Sequence, residues 1–188
     1  KQLTIYIDSL NRVMLAWVDG TNGDILFSWA NLDQASKTSA WEASKVLPSP
    51  SQLNSSPDIV VDASGRIVIV YAVPLNENRG IYLAQSIDNG FTWSSYSQVF
   101  DGVASEWDVV DSPKITLSGD GNLHVLFTRQ SIRNDQSVGM YYSQSQDGGI
   151  SWSDSQNVSE SVVSWSDIVA YGEQTIHRLW QEDNGLVV

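Results

Sequence analysis

One eight-residue phrase occurs twice in this chain, and it restricts the possible folds more than any other feature. The copies are Ser86-Ile87-Asp88-Asn89-Gly90-Phe91-Thr92-Trp93 and Ser145-Gln146-Asp147-Gly148-Gly149-Ile150-Ser151-Trp152, with Asp88 and Asp147 59 residues apart. Recurrence at such a spacing marks an array of like units. Each position suits a tight strand-to-strand turn. The Ser and Asp side chains can accept hydrogen bonds from backbone N–H groups that the turn leaves unpaired. Gly90 and Gly149 supply a backbone with positive φ that a residue bearing Cβ resists. Trp93 and Trp152 then anchor the next strand by burying a large ring, and both are expected to be largely buried.

The segment around the first copy divides into four short β-like runs. They are 58–61, the apolar β-branched run 66–73, 81–85 and 97–100, and the turn phrase joins the third to the fourth. A continuous apolar run of that kind marks a strand covered on both faces. The order repeats at 114–117, 123–128, 140–143 and 156–158 around the second copy. Runs at 3–7, 13–18, 25–29 and 44–47 make a first unit, whose turn (31–41) keeps only Asp33 and Trp41. The tail gives 167–170 and 175–181, then ends at Leu186-Val187-Val188 without a fourth strand. The expected units are therefore 1–49, 55–102 and 111–160, with a half-unit at 164–188. A lone four-stranded unit cannot cover both of its faces, whereas radially stacked neighbours can, which points to a β-propeller. The alternative is a β-sandwich, which regularly spaced short strands also suit.

The repeated phrase resembles the Asp-box of the sialidase-like (BNR-repeat) propellers. That resemblance implies a six-bladed all-β propeller, of which this chain holds about three and a half blades. It also implies a carbohydrate-active protein that recognises glycans or forms part of an exo-sialidase-like glycoside hydrolase. The alternative is a non-catalytic propeller that binds proteins or acts as a scaffold. In the family the box is a structural turn remote from substrate, and substrate sits over the axis on the opposite face. Its arginine-isoleucine-proline motif is absent here: Arg12 and Arg66 are followed by Val13 and Ile67, with no proline. The arginine triad and Tyr–Glu nucleophile pair therefore cannot be assigned, and the isolated chain is expected not to release sialic acid.

Composition narrows the partners. A formal net charge of −12 argues against nucleic-acid and anionic-membrane partners, which need clustered Lys and Arg. No apolar run is long enough to span a bilayer as a helix. The absence of cysteine excludes disulfides and thiolate metal sites. An acidic, Ser-rich and Trp-rich chain of this kind suits a bacterial protein that is secreted or held at the cell surface.

In a four-strand meander, the second-to-third loops and the links between units share the face opposite the boxes. The candidate ligand residues on that face are Arg79, Glu106, Trp107, Asp108, Asp111, Arg129, Arg133, Trp165 and Asp167, with Glu77 and Asp135 in the same loops. Carboxylates there could serve as acid and base or meet sugar hydroxyls. Arginines could grip a carboxylate, or simply pair with loop acids. Trp107 and Trp165 could stack on sugar or pack between units. The structural Asp-box set is Ser86, Asp88, Gly90, Thr92, Trp93, Ser145, Asp147, Gly149, Ser151 and Trp152. No cofactor is required. The oxygens of Asp19-Gly20-Thr21-Asn22-Gly23-Asp24 could hold calcium but also read as an Asn-Gly hairpin. An open arc of blades leaves apolar faces at its ends, so the chain is expected to be a homo-oligomer or part of a longer polypeptide.

Overall fold

The apolar run at 66–73 forms a strand in which every residue from Ile67 to Val73 is buried. The computed structural model describes residues 3–133, 136–182 and 185–188. Its strands form four separate antiparallel sheets, each a simple up-and-down meander. Sheet 1 holds β1 (Leu3–Ile7), β2 (Arg12–Val18), β3 (Ile25–Asn31) and β4 (Lys45–Val46). Sheet 2 holds β5 (Ser55–Val61), β6 (Ile67–Val73), β7 (Gly80–Ser86) and β8 (Ser97–Asp101). Sheet 3 holds β9 (Val109–Leu117), β10 (Leu123–Ser131), β11 (Gln136–Ser145) and β12 (Gln156–Ser159). Sheet 4 holds β13 (Trp165–Tyr171), β14 (Thr175–Glu182) and β15 (Gly185–Val187). The architecture is an all-β propeller with these sheets as blades. Four sheets, rather than two packed face to face, dispose of the sandwich alternative.

Sheet 4 departs from the expected pair of strands, because β15 pairs with β14 from Trp180↔Val187 to Glu182↔Gly185. Three residues are too short to leave a periodic signal in the sequence. Two inner strands also start earlier than their composition suggests. β5 and β9 run through Pro57 and Pro113, which precede the runs expected at 58–61 and 114–117. An inner strand pairs on one side only, so a missing N–H costs no ladder bond there. Each proline follows a serine in the left-handed region, Ser56 (φ 49) and Ser112 (φ 54), and the pairing register of each strand shifts nearby.

The registers put the sheets into one frame. Ile5↔Leu15, Ile59↔Ile69, Ile115↔Val125 and Ile168↔Arg178 are equivalent pairs. Ile59, Ile115 and Ile168 each point at the preceding sheet and are buried there, in three successive core clusters. Ile5 has no preceding sheet and is 63% exposed, in company with Leu3 and Ile7. At the other end of the arc Val169 and Tyr171 are exposed.

The two Asp-boxes are built as hydrogen-bonded turns. Ser86 Oγ donates to Asp88 Oδ1 (2.8 Å) and accepts from Gly90 N (2.9 Å), and Asp88 accepts from both the amide and the hydroxyl of Thr92. Ser145, Asp147, Gly149 and Ser151 repeat these bonds. The serine and threonine bonds hold both aspartates below the usual carboxylate range. Trp93 and Trp152 are half-buried, not largely buried. Each follows an exposed turn at the blade edge, where only one side is covered. Trp93 meets Phe27 of sheet 1 edge-on at 5.1 Å between ring centroids.

Each box docks on the sheet before it. Gly90 lies against the Phe27 ring, and Asn89 Oδ1 accepts a hydrogen bond from Arg12 Nη1. One sheet further on, Gly149 lies against Leu83 and Gln85. There the Gly148 carbonyl accepts from Arg66 Nη1 (3.1 Å) and Gln85 Nε2 (2.7 Å). Each arginine is held by the aspartate four residues earlier, Arg12 by Asp8 and Arg66 by Asp62. This second internal repeat, Asp-x-x-x-Arg, was present in the sequence beside the boxes.

Candidate functional site

The inner strands all begin on the face opposite the boxes, and there they line a pocket of about 200 Å³ over the axis. Leu3 comes from β1, Ser56 and Pro57 from β5, Ser112, Pro113 and Lys114 from β9, and Trp165 and Ser166 from β13, with Ser164 just before it. The left-handed serines and their prolines push these strand starts into the pocket. Such backbone conformations cost about 1–3 kcal/mol each and persist where surrounding structure enforces them, often at binding sites.

The position before the core isoleucine in each inner strand carries a polar side chain: Thr4, Asp58, Lys114 and Asp167. Asp58 is the centre of this set. It accepts from Thr4 Oγ1 (3.1 Å) and from the Ile115 amide (3.0 Å), and Lys114 Nζ lies 3.8 Å away. Burial pushes its carboxyl above the usual range and Asp167 adds to the rise, while Lys114 and the hydrogen bonds oppose it. Asp167 is exposed and accepts from the Ile168 amide at 2.9 Å. Trp165, 45% exposed at the rim, offers an aromatic face.

The structure divides the sequence-predicted residues into two groups. Trp165 lines the axial pocket, whereas Asp167 lies outside its lining, on the exposed face of β13. Asp111 borders the pocket: its Oδ1 accepts from Ser55 Oγ and from the Ser112 amide, both at 2.6 Å, so it ties sheet 3 to sheet 2 and fixes the strained serine. The others lie elsewhere in sheets 2 and 3: Arg79 in the β6–β7 loop, Glu106, Trp107 and Asp108 in the link from β8 to β9, Arg129 within β10 and Arg133 just after it. Trp107 is 7% exposed, packed on Phe100 and Tyr141, so it belongs to the core. Arg129 lies over its ring at 5.5 Å. Arg79 donates to the carbonyls of Trp107 and Asn76. Glu106 (φ 56) forms a turn, and both it and Asp108 are exposed. Arg133 is exposed in the β10–β11 loop, and Asp135 lies outside the described residues. Arg79 and Arg129 are thus both engaged with Trp107.

Sequence reasoning missed Asp58, Lys114 and Thr4. Their signal was the aligned pair Ser56-Pro57-Asp58-Ile59 and Ser112-Pro113-Lys114-Ile115. In the Asp19–Asp24 hairpin the side-chain oxygens of Asp19 and Asn22 accept from the backbone amides of Thr21 and Asp24. No group of three or more acids or histidines that could hold a metal occurs among the described residues.

No family model and no curated protein matches the chain. Solved structures do, at the level of fold. An exo-1,5-α-L-arabinanase from a bovine ruminal metagenomic library aligns over 97% of this chain and 71% of its own, with a TM-score of 0.63 and 12% identity. The α-L-arabinanase of Penicillium chrysogenum aligns over 96% of this chain and 58% of its own, with a TM-score of 0.65 and 14% identity. A thermostable family-43 glycoside hydrolase aligns over 97% and 63%, with a TM-score of 0.62 and 14% identity. The chain thus spans from just over half to about seven-tenths of these structures. At such identities the likeness establishes the propeller and nothing finer.

Proposed function

We propose that the chain is the glycan-handling part of a carbohydrate-active propeller, with its ligand seated in the axial pocket. The observation that carries this reading is the pocket that four strand starts line with Lys114, Ser56, Ser112, Ser166 and an exposed Trp165. A sugar ring would lay its apolar face on Trp165 and present hydroxyls to Lys114 and the serines Ser56, Ser112 and Ser166. In a hydrolase reading, Asp58 with its raised carboxyl, beside Lys114 of the pocket, supplies the acid. The similar solved structures include arabinan-cleaving enzymes, which favours neutral sugars over sialic acid. The Asp-boxes favour a ring of the six-bladed sialidase-like type, to which these four sheets would contribute. A secreted or cell-surface location fits this use. The protein-interaction alternative draws its support from the exposed apolar ends of the arc.

Titration with arabino-oligosaccharides, followed by NMR, is expected to shift the Trp165 indole signal. Trp165→Ala should weaken binding about tenfold, the equivalent of about 1.4 kcal/mol. Unchanged affinity in that variant would remove Trp165, and with it this site, from the reading. A fluorogenic sialoside should not be turned over, and turnover abolished by Arg79→Ala or Arg129→Ala would restore the sialidase assignment.

Assembly follows from the exposed ends. Leu3, Ile5 and Ile7 at one end and Val169 and Tyr171 at the other leave apolar side chains exposed that a neighbouring sheet would cover. The isolated chain is expected to associate with a second copy or to need further blades. A monodisperse 20.8 kDa species with cooperative unfolding, seen by light scattering and denaturant titration, would refute this.

A further inference from the structure

Sheets 1 and 2 each receive a box from the sheet that follows, and sheet 3 carries the same receiving surface without a box on it. The shared registers make the comparison residue by residue. The ring or side chain under the box glycine is Phe27 in sheet 1 and Leu83 in sheet 2, and the equivalent residue in sheet 3 is Tyr142. Gln85, which donates to the box carbonyl, is matched by Gln144. Arg12 and Arg66 are matched by the shorter Asn122. Leu47 and Val99 belong to the clusters that receive Trp93 and Trp152, and Val158 takes their place in sheet 3.

These sheet 3 residues line open space. Asn122, His124, Tyr142 and Gln144 border a polar cleft of about 430 Å³ between sheets 3 and 4. Beside it a second cleft of about 310 Å³ is bordered by Val158, Ile176 and Trp180. Arg178 of sheet 4 reaches into the first cleft and lies over the Tyr142 ring at 5.1 Å. It brings a guanidinium to the side where Asn122 is too short to act as Arg12 and Arg66 do.

We propose that this pair of clefts is a socket for one further Asp-box turn, carried on the hairpin that continues β15. The polar cleft would take the Gly-containing turn, with Gln144 and Arg178 donating to its carbonyls, and the second cleft would take the box tryptophan against Val158, Ile176 and Trp180, with its indole N–H toward His177. The register of β15 fits this source. Val187 pairs with Trp180 as Tyr82 pairs with Tyr71, and the sheet 2 box begins at Ser86, four residues after Tyr82.

The test appends a copy of residues 143–159 behind Val188 of the full chain, which continues β15 in register as 143 follows Tyr142. The extended protein should melt about 4 °C higher than the parent, on the scale where each kcal/mol moves a chain of this size by about 2–4 °C. Amides of β10 from Leu123 to Leu126 should exchange more slowly, and the His124 ring signals should move. The same extension with its Asp changed to Ala and its second Gly to Val should give none of these changes. Equal melting of the two extensions would overturn the proposal. So would concentration-dependent protection of β10 in the unextended chain, which would mean that a second copy fills the socket.

Discussion

Gly90→Val is expected to destabilise the protein by about 3–4 kcal/mol, among the largest effects of any single substitution in the chain. Two costs combine. Gly90 has φ +81, a conformation that a β-branched residue resists at a cost of about 1–2 kcal/mol. Its Cβ would also overlap the Phe27 ring of sheet 1, and overpacking a core commonly adds about 1–3 kcal/mol. Gly65→Val separates the two costs, since Gly65 has φ +85 but open space around it. It should lose about 1–2 kcal/mol from the backbone alone. Urea unfolding midpoints of the two variants measure the difference. If both lose the same amount, the contact between box and preceding sheet contributes nothing.

Asp8→Ala is expected to cost about 3–5 kcal/mol, because it strands a buried guanidinium. Asp8 and Arg12 are 7% and 6% exposed, and Arg12 Nη2 lies 2.6 Å from Asp8 Oδ2. Asp62→Ala should cost clearly less, since the Asp62–Arg66 pair is about one-fifth exposed. The pair also sets a pH dependence. Burial raises the Asp8 carboxyl, but the Arg12 amide and guanidinium outweigh it and hold it below the usual range. A depressed carboxyl contributes fully above its unfolded pKa of about 4 and is lost as pH falls through its folded value. Wild type should therefore lose stability below about pH 4 more steeply than Asp8→Ala does. Parallel acid titrations of the two, followed by tryptophan fluorescence, check this, and superimposable curves would refute it.

The repeat was legible because turn chemistry is local. Ser86, Asp88, Gly90 and Thr92 satisfy one another within seven residues, so their pattern survives in the sequence alone. The runs in β2, β6 and β10 were legible for a similar reason, as strands covered on both faces must be apolar throughout. The axial site was less so. Asp58 and Lys114 gain their roles from neighbours in other sheets, and Pro57 and Pro113 disguised the strands that carry them. Loop composition gathered Glu106, Asp108 and Arg79 with Trp165 and Asp167, but composition has no radial coordinate, and the first three fall away from the axis. In sequence Trp107 suits a core ring better than a ligand platform without excluding either, and packing by Phe100 and Tyr141 decides for the core.

The docking of each box on the sheet before it gives the molecule an order in time as well as in space. A ribosome releases sheet 1 first, yet the Phe27 ring and Arg12 stay open until Asn89 and Gly90 emerge. Sheet 2 waits in turn for Gly148 and Gly149. Maturation therefore lags synthesis by about one sheet, and each newly made blade is finished by its successor. Loss of residues from the late-made end unfinishes the blade before the cut, whereas loss from the early-made end takes no box from a sheet that remains. Two deletions of equal length would thus leave proteins of unequal soundness.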